Sequence, residues 1–158
     1  LRYPRGSGLG VDISEPLHTL PIGKAEELKQ GSDVCIWAVG SMVDEAMKAA
    51  AALEEDGIRA GVVNMRFVKP LDSELLVKTA QQYKNIVTME EGSLKGGAGS
   101  AVLEVLNENG MLQNVKVLNL GIPDKYIPHG AKPLLMRDIG LDHESVVKRI
   151  KEFLNNGD

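Results

Sequence analysis

Four groups of residues have the types and spacing to do chemistry. Arg2 and Arg5 stand in RYPRG, residues 2–6. Guanidinium groups on a glycine-flanked loop suit a phosphate or a carboxylate, because the planar fork donates two parallel hydrogen bonds. From spacing alone, a solvated basic linker fits them slightly better. The glycine loop GSLKGGAGS, residues 92–100, follows an extended run and opens a helical one, so its backbone N–H groups could cradle a phosphate. Its spacing argues against the known fingerprints. Val102 stands where G-x-G-x-x-G needs its third glycine, and Ala98 stands where the P-loop needs lysine. Glycines that let a helix approach another backbone closely are the favoured reading.

The other two groups are acidic and imidazole. Glu90 and Glu91 close an extended run and could supply an acid–base group, since adjacent carboxylates push one pKa up. Neighbours in a strand point to opposite faces, so a charged rim or a subunit contact suits them better than a shared site. His129, in IPHG, could act as a general base; a loop histidine held in a turn hydrogen bond is the commoner arrangement. His18 and His143 lack ligand partners at metal spacing, apart from the DHE at 142–144 that a helix N-terminus explains, and no structural metal is expected. There is no G-x-S-x-G elbow and no Cys–His pairing, so the sequence does not contain a complete active site.

The elements that must position these groups are organised around DVCIWAV, residues 33–39. This run has no polar residue after Asp33, is too short for a buried helix and ends in Gly40-Ser41, which describes a strand covered on both faces. A helix is predicted from Ser41, paired with Asp44 as a cap, to about Asp56, then a strand over 58–65 and a helix behind an Asp72 N-cap. Further strands are predicted over 85–89 and 115–120. Further helices follow the glycine loop, a short stretch near 133–138, and an Asp142 cap, with Glu144 and Lys148 as an i,i+4 pair. Pro16–Ile22 has the spacing of a short extended piece that its prolines confine to a sheet edge, while Lys24–Gln30 is too short to assign.

Alternating strands and helices of this kind make an open α/β sheet with helices on both faces. The loops at the carboxyl ends of its strands, Gly40-Ser41, Arg66-Phe67, 90–99 and 121–130, then share one edge. A ligand binds at that edge in such sheets, and a partner domain could equally pack there.

Composition narrows the function classes. With 158 residues, 43% hydrophobic and 25% charged, the chain fits one domain with a sizeable core, and a net charge of −4 gives no reason to invoke nucleic acid. No apolar run approaches the roughly 20 residues of a membrane span. The single cysteine, Cys35, sits in the most apolar run and reads as a core residue, which suits a cytoplasmic protein. Residues 1–14 read as an interdomain linker or substrate loop and 15–158 as the α/β domain. A chain that opens on Leu1 and a loop is expected to be a piece of a longer protein.

RYPRG at 2–6, LPIGK at 20–24, MRFVKPLD at 65–72, VTMEE at 87–91, GGAGSAVLEVL at 96–106 and LNLGIPDKYIPHG at 118–130 together resemble the carboxyl-terminal domain of the 1-deoxy-D-xylulose-5-phosphate synthases. GLD at 140–142 fits as well, though MR-x-x-x-P-x-D and the V-T-x-E strand end occur across the wider transketolase-like group. The resemblance implies a three-layer α/β/α domain with a mostly parallel five-stranded sheet and one antiparallel strand. It implies an enzyme that uses thiamine diphosphate and Mg²⁺, held by two upstream domains, to decarboxylate pyruvate and join the two-carbon unit to glyceraldehyde 3-phosphate. The product feeds isoprenoid, thiamine and pyridoxal biosynthesis. The implied assembly is a homodimer to which this domain contributes.

The family's metal motif begins G-D-G, and this chain has none; its Asp56-Gly57 is a helix end. The fragment is therefore expected to be inactive alone. The second arginine of RYPRG, here Arg5, is similar to a residue that holds the phosphate of glyceraldehyde 3-phosphate, which reverses the preference from spacing. No role is carried onto Arg2, Glu90, Glu91 or His129. Two alternatives stay open: an interaction module like that of the 2-oxoacid dehydrogenase β subunit, which docks an acyltransferase core, and a free-standing split subunit.

Overall fold

A computed structural model describes residues 8, 10, 14, 16 and 18–155. Ten elements follow one another among them: β1 (Glu26–Lys29), β2 (Val34–Ala38), α1 (Met42–Glu55), β3 (Ala60–Asn64), α2 (Ser73–Gln82), β4 (Asn85–Ser93), α3 (Ala98–Glu108), β5 (Lys116–Ile122), α4 (Lys132–Asp138) and α5 (His143–Asn155). The five strands form one sheet in the order β1-β3-β2-β4-β5, parallel except that β1 runs antiparallel to β3. This is the mostly parallel, helix-flanked sheet that the strand–helix alternation implies.

β2 sits at the centre because every residue along it is apolar on both faces, and Ile36 lies level with Val62 of β3 and Val87 of β4. Every residue of β2 is buried. Val34, Ile36 and Ala38 pack with Ala46, Ala50 and Leu53 of α1 and with Val146 and Ile150 of α5. Cys35 and Trp37 face the other way, against Leu76 and Ala80 of α2 and Val102 and Leu106 of α3. Each large side chain buried here contributes about 1.5–3 kcal/mol, which makes the two apolar layers the main source of stability. Burial pushes the Cys35 thiol up to about 12, with the Glu27 charge adding to it, so the sulfur stays protonated and behaves as core. The Trp37 indole N–H is buried without a hydrogen-bond partner among the described residues.

The edge strand falls later than the sequence pattern places it. Pro16–Ile22 forms no strand among its described residues, and the antiparallel edge is Glu26–Lys29 instead. An edge strand with one open side needs no apolar alternation, which is why EELK carries no periodic signal. β4 also runs on past Met89 to Ser93, because Glu90 and Glu91 each find a partner on their own face of the sheet. Lys148 pairs forward with Glu152 at 3.9 Å rather than back with Glu144.

Asp72 is the N-cap that the sequence indicates, and it does more than cap. One carboxylate oxygen accepts from the Leu75 N–H at 3.2 Å, and the other accepts from the Ala25 N–H at 3.1 Å, tying α2 to the start of β1. Asp72 is only 6% exposed, so its removal leaves two donors in a poorly solvated place. Asp72→Ala is expected to destabilise the domain by about 2–3 kcal/mol, the sum of a lost cap and a second unsatisfied N–H. Urea denaturation should show a lower midpoint at an unchanged slope.

At the start of α1, Ser41 adopts a helical conformation and makes no side-chain cap, contrary to the Ser41–Asp44 expectation. Asp142 does cap α5, accepting from the Ser145 N–H at 3.2 Å and the Ser145 hydroxyl at 2.6 Å. Burial works against its charge, but these Ser145 hydrogen bonds outweigh it and hold the carboxyl below its ordinary range.

Candidate functional site

The candidate site is the carboxyl edge of the parallel strands, at the point where the chain reverses direction across the sheet. From β2 the chain crosses to β3 through α1 on one face; from β3 it passes back over β2 to β4 through α2 on the other. The loops leaving β2 and β4 therefore diverge, and a crevice between them is where an open α/β sheet takes its ligand. In this chain the crevice is closed by the protein's own side chains.

Glu90 fills one half of it. Its carboxylate lies over Gly97 and accepts from the Gly99 N–H at 3.0 Å, so the anion at the N-terminus of α3 is an internal one. Glu90 is buried. A Cβ on Gly99 would stand 2.7 Å from Thr88 Oγ1 and from Asn119 Cγ, and Thr88 itself donates to Asn119 Oδ1 at 2.7 Å. The glycines of GSLKGGAGS thus let α3 settle onto β4 and β5, as the failed fingerprints suggest. The backbone N–H that could have cradled a phosphate is already taken.

Glu91 fills the other half, on the opposite face, as strand geometry requires. The Ser41 hydroxyl and the Lys132 ammonium both donate to Glu91 Oε2, the second at 2.6 Å. Three segments, the β2–α1 loop, β4 and the start of α4, are joined through that one oxygen. A carboxylate held by two donors fixes a rim rather than waiting for a substrate proton. Sequence reading missed Ser41 and Lys132 as its partners because they lie 50 and 41 residues away.

The remaining candidates stay apart. His129 is exposed on the loop between β5 and α4. His143 begins α5, where Glu45 of α1 accepts from its backbone N–H at 2.8 Å and lies 3.3 Å from its ring Nδ1, a helix-end contact. Arg66 follows β3 with φ of 52°, a left-handed conformation that costs a non-glycine residue about 1–2 kcal/mol. Asn64 Oδ1 accepts from its N–H at 3.0 Å, and its guanidinium pairs with Glu26 at 2.5 Å, which holds it there. Arg2 and Arg5 lie outside the described residues.

Among the described residues no group of three or more His, Cys, Asp or Glu could hold a metal ion. Those residues do not fit thiamine diphosphate or Mg²⁺ either: the glycine-rich cradle at the start of α3 is occupied by Glu90, and Glu91 is tied to Ser41 and Lys132. No helix among them is long and apolar enough to cross a membrane.

Residues 23–146 match the family model described as "Transketolase, C-terminal domain". The chain belongs to this family. The transketolase C-terminal fold of the domain is seen again in a solved split-gene transketolase, described as an inactive β4 tetramer, at a TM-score of 0.79 and 37% identity, covering 92% of this chain and 46% of that one. A Pichia stipitis transketolase shares the fold alone, at a TM-score of 0.62 and 21% identity over 84% of this chain and 18% of its own.

Among curated relatives, the 1-deoxy-D-xylulose-5-phosphate synthase of Heliobacterium modesticaldum is 51% identical over 97% of this chain and 23% of its own length. That of Dehalococcoides mccartyi is 46% identical over 99% of this chain and 25% of its own. The transketolase C-terminal domain described here thus spans about a quarter of the length of these relatives. Its fold and family are those implied by the motifs from RYPRG to IPHG.

Proposed function

We propose that this chain is the carboxyl-terminal domain of a 1-deoxy-D-xylulose-5-phosphate synthase. The full enzyme decarboxylates pyruvate with thiamine diphosphate and Mg²⁺, both bound by upstream domains, and transfers the two-carbon unit to glyceraldehyde 3-phosphate. It releases CO₂ and makes a precursor for isoprenoids and thiamine in the cytoplasm. The observation that carries this reading is the 51% identity over nearly the whole chain to a protein of that name. The internal closure of the crevice by Glu90 and Glu91 supports a non-catalytic domain, whose part is to support a homodimer and to supply Arg5 to the acceptor phosphate. The 158-residue fragment is inactive by itself.

The test is an assay of the full-length protein that contains these residues. Pyruvate and glyceraldehyde 3-phosphate should give CO₂ and 1-deoxy-D-xylulose 5-phosphate only when thiamine diphosphate and Mg²⁺ are added, and the fragment alone should give neither. If no product forms and the domain instead retains a peripheral-subunit-binding domain in a pull-down, the docking-module reading replaces this one. The likeness to a split-gene transketolase supports one further arrangement, in which the upstream domains are a separate subunit. The gene sequence upstream of Leu1 distinguishes the two.

A further inference from the structure

The large apolar side chains left exposed are not spread evenly over the molecule. Of the eight among the described residues, five lie at the carboxyl edge of the parallel strands: Leu20, Ile22, Val68, Tyr126 and Leu134. Ile22 is 78% exposed, Leu134 61% and Tyr126 completely so. The other three, Leu28 on β1, Met47 on α1 and Leu112 beyond α3, are scattered. Single exposed apolar residues are ordinary, but these stand at both ends of one edge, Leu20, Ile22 and Val68 beside β1 and β3 and Tyr126 and Leu134 beyond β5, so that a surface covering the whole edge would bury both groups.

Three further observations say what covers the rim. First, several of its charges are already paired among themselves, although Lys69 and Lys125 make no ion pair among the described residues. Lys24 meets Glu74 at 2.6 Å, Arg66 meets Glu26 at 2.5 Å, Lys95 meets Asp124 at 3.3 Å and Lys132 meets Glu91 at 2.6 Å. Charges paired in this way suit a protein surface better than a charged ligand. Second, β1 is antiparallel, with Glu26 level with Asn64 at the end of β3, so the chain enters the domain at this same edge. Polypeptide that precedes β1 emerges beside Ile22 and Leu20. Third, the relatives are about four times as long as this chain, so most of such a protein lies outside it.

We infer that the rim carrying Ile22, Val68, Tyr126 and Leu134 is the seat on which the preceding part of the same polypeptide packs. The proposal rests on the reading of the chain as one domain of a longer enzyme. A shallow hollow of about 410 Å³, lined by Ser93, Ile122, Pro123, Asp124, Lys125 and Tyr126, gives the incoming surface a place to insert a side chain. The closed crevice is compatible with the same arrangement: Glu90 and Glu91 take up the Gly99 N–H, the Ser41 hydroxyl and the Lys132 ammonium internally, so the crevice itself needs no ligand from outside.

The experiment uses the full-length protein. Tyr126, Leu134 and, as the control at the far edge, Leu112 are replaced one at a time by cysteine, and maleimide labelling of each position is followed by peptide mass spectrometry. Labelling at positions 126 and 134 is expected to be at least about tenfold slower than at 112. With p-benzoylphenylalanine at 126 or 134, irradiation should join the domain to peptides that precede Leu1 in a product that still runs at the mass of one chain. Labelling within about twofold of the control, or no cross-link, would overturn the proposal. Cross-linked product at the mass of two chains would also overturn it and assign the rim to a second copy. If the rim labels freely while the enzyme makes 1-deoxy-D-xylulose 5-phosphate, this inference fails and the proposed function stands. If the rim is covered and no product forms, the function fails and the seat stands.

Discussion

Gly97→Ala should destabilise the domain by about 3 kcal/mol, the upper range for forcing one methyl group into a packed site. A Cβ at Gly97 would fall deep inside van der Waals contact of the Ser93 carbonyl oxygen and of both Glu90 carboxylate oxygens. Neither neighbour can give way cheaply. Ser93 is backbone at the end of β4, and moving Glu90 abandons the buried Gly99 N–H that it satisfies. Gly96→Ala is the natural comparison, because Gly96 has φ of 72° but nothing within 4 Å of a built Cβ. It should lose only about 1 kcal/mol, from the left-handed backbone alone.

The double variant separates the causes. Glu90→Ala removes two of the three clashes at Gly97 and leaves the Ser93 carbonyl in place, so the losses of Glu90→Ala and Gly97→Ala should sum to more than the loss in the double variant. Urea denaturation of the four proteins gives the coupling directly. Losses that simply add, or a Gly97→Ala no worse than Gly96→Ala, would mean that Glu90 does not occupy the N-terminus of α3.

This closure is the part of the site that the sequence discloses least. The central strand was legible because VCIWA has apolar residues on both faces, and no other element can bury so many at once. Asp72 was legible because an N-cap is a local device, with the acceptor three residues before its donor. Ser41 has the same local signature and fails to cap, since its hydroxyl bonds Glu91, fifty residues on. A side chain with both a local and a distant acceptor cannot be assigned from spacing. Strand parity foretold that Glu90 and Glu91 would part company, but not that each would meet a donor that closes the crevice. The β1 strand was misplaced for the converse reason: EELK is recruited by β3, and an edge that takes its order from a neighbour needs little pattern of its own. Arg66 gave no signal at all, because its left-handed backbone depends on Asn64 and Glu26.

The central functional claim rests on a residue outside the described region. RYPRG is carried by resemblance to the synthase family, and the proposed role of Arg5 is to hold the phosphate of glyceraldehyde 3-phosphate. Removing a charge-assisted contact of about 1.5–3 kcal/mol weakens a ligand about ten- to a hundredfold. The effect should be confined to the substrate that carries the phosphate, because pyruvate has none.

The measurement that bears most directly on this claim is steady-state kinetics of the full-length enzyme carrying Arg5→Ala, with each substrate varied in turn. The expected result is a KM for glyceraldehyde 3-phosphate raised about ten- to a hundredfold, with the KM for pyruvate nearly unchanged. Unchanged values for both substrates would contradict it: RYPRG would then be a linker, and the domain a scaffold with no part in substrate recognition.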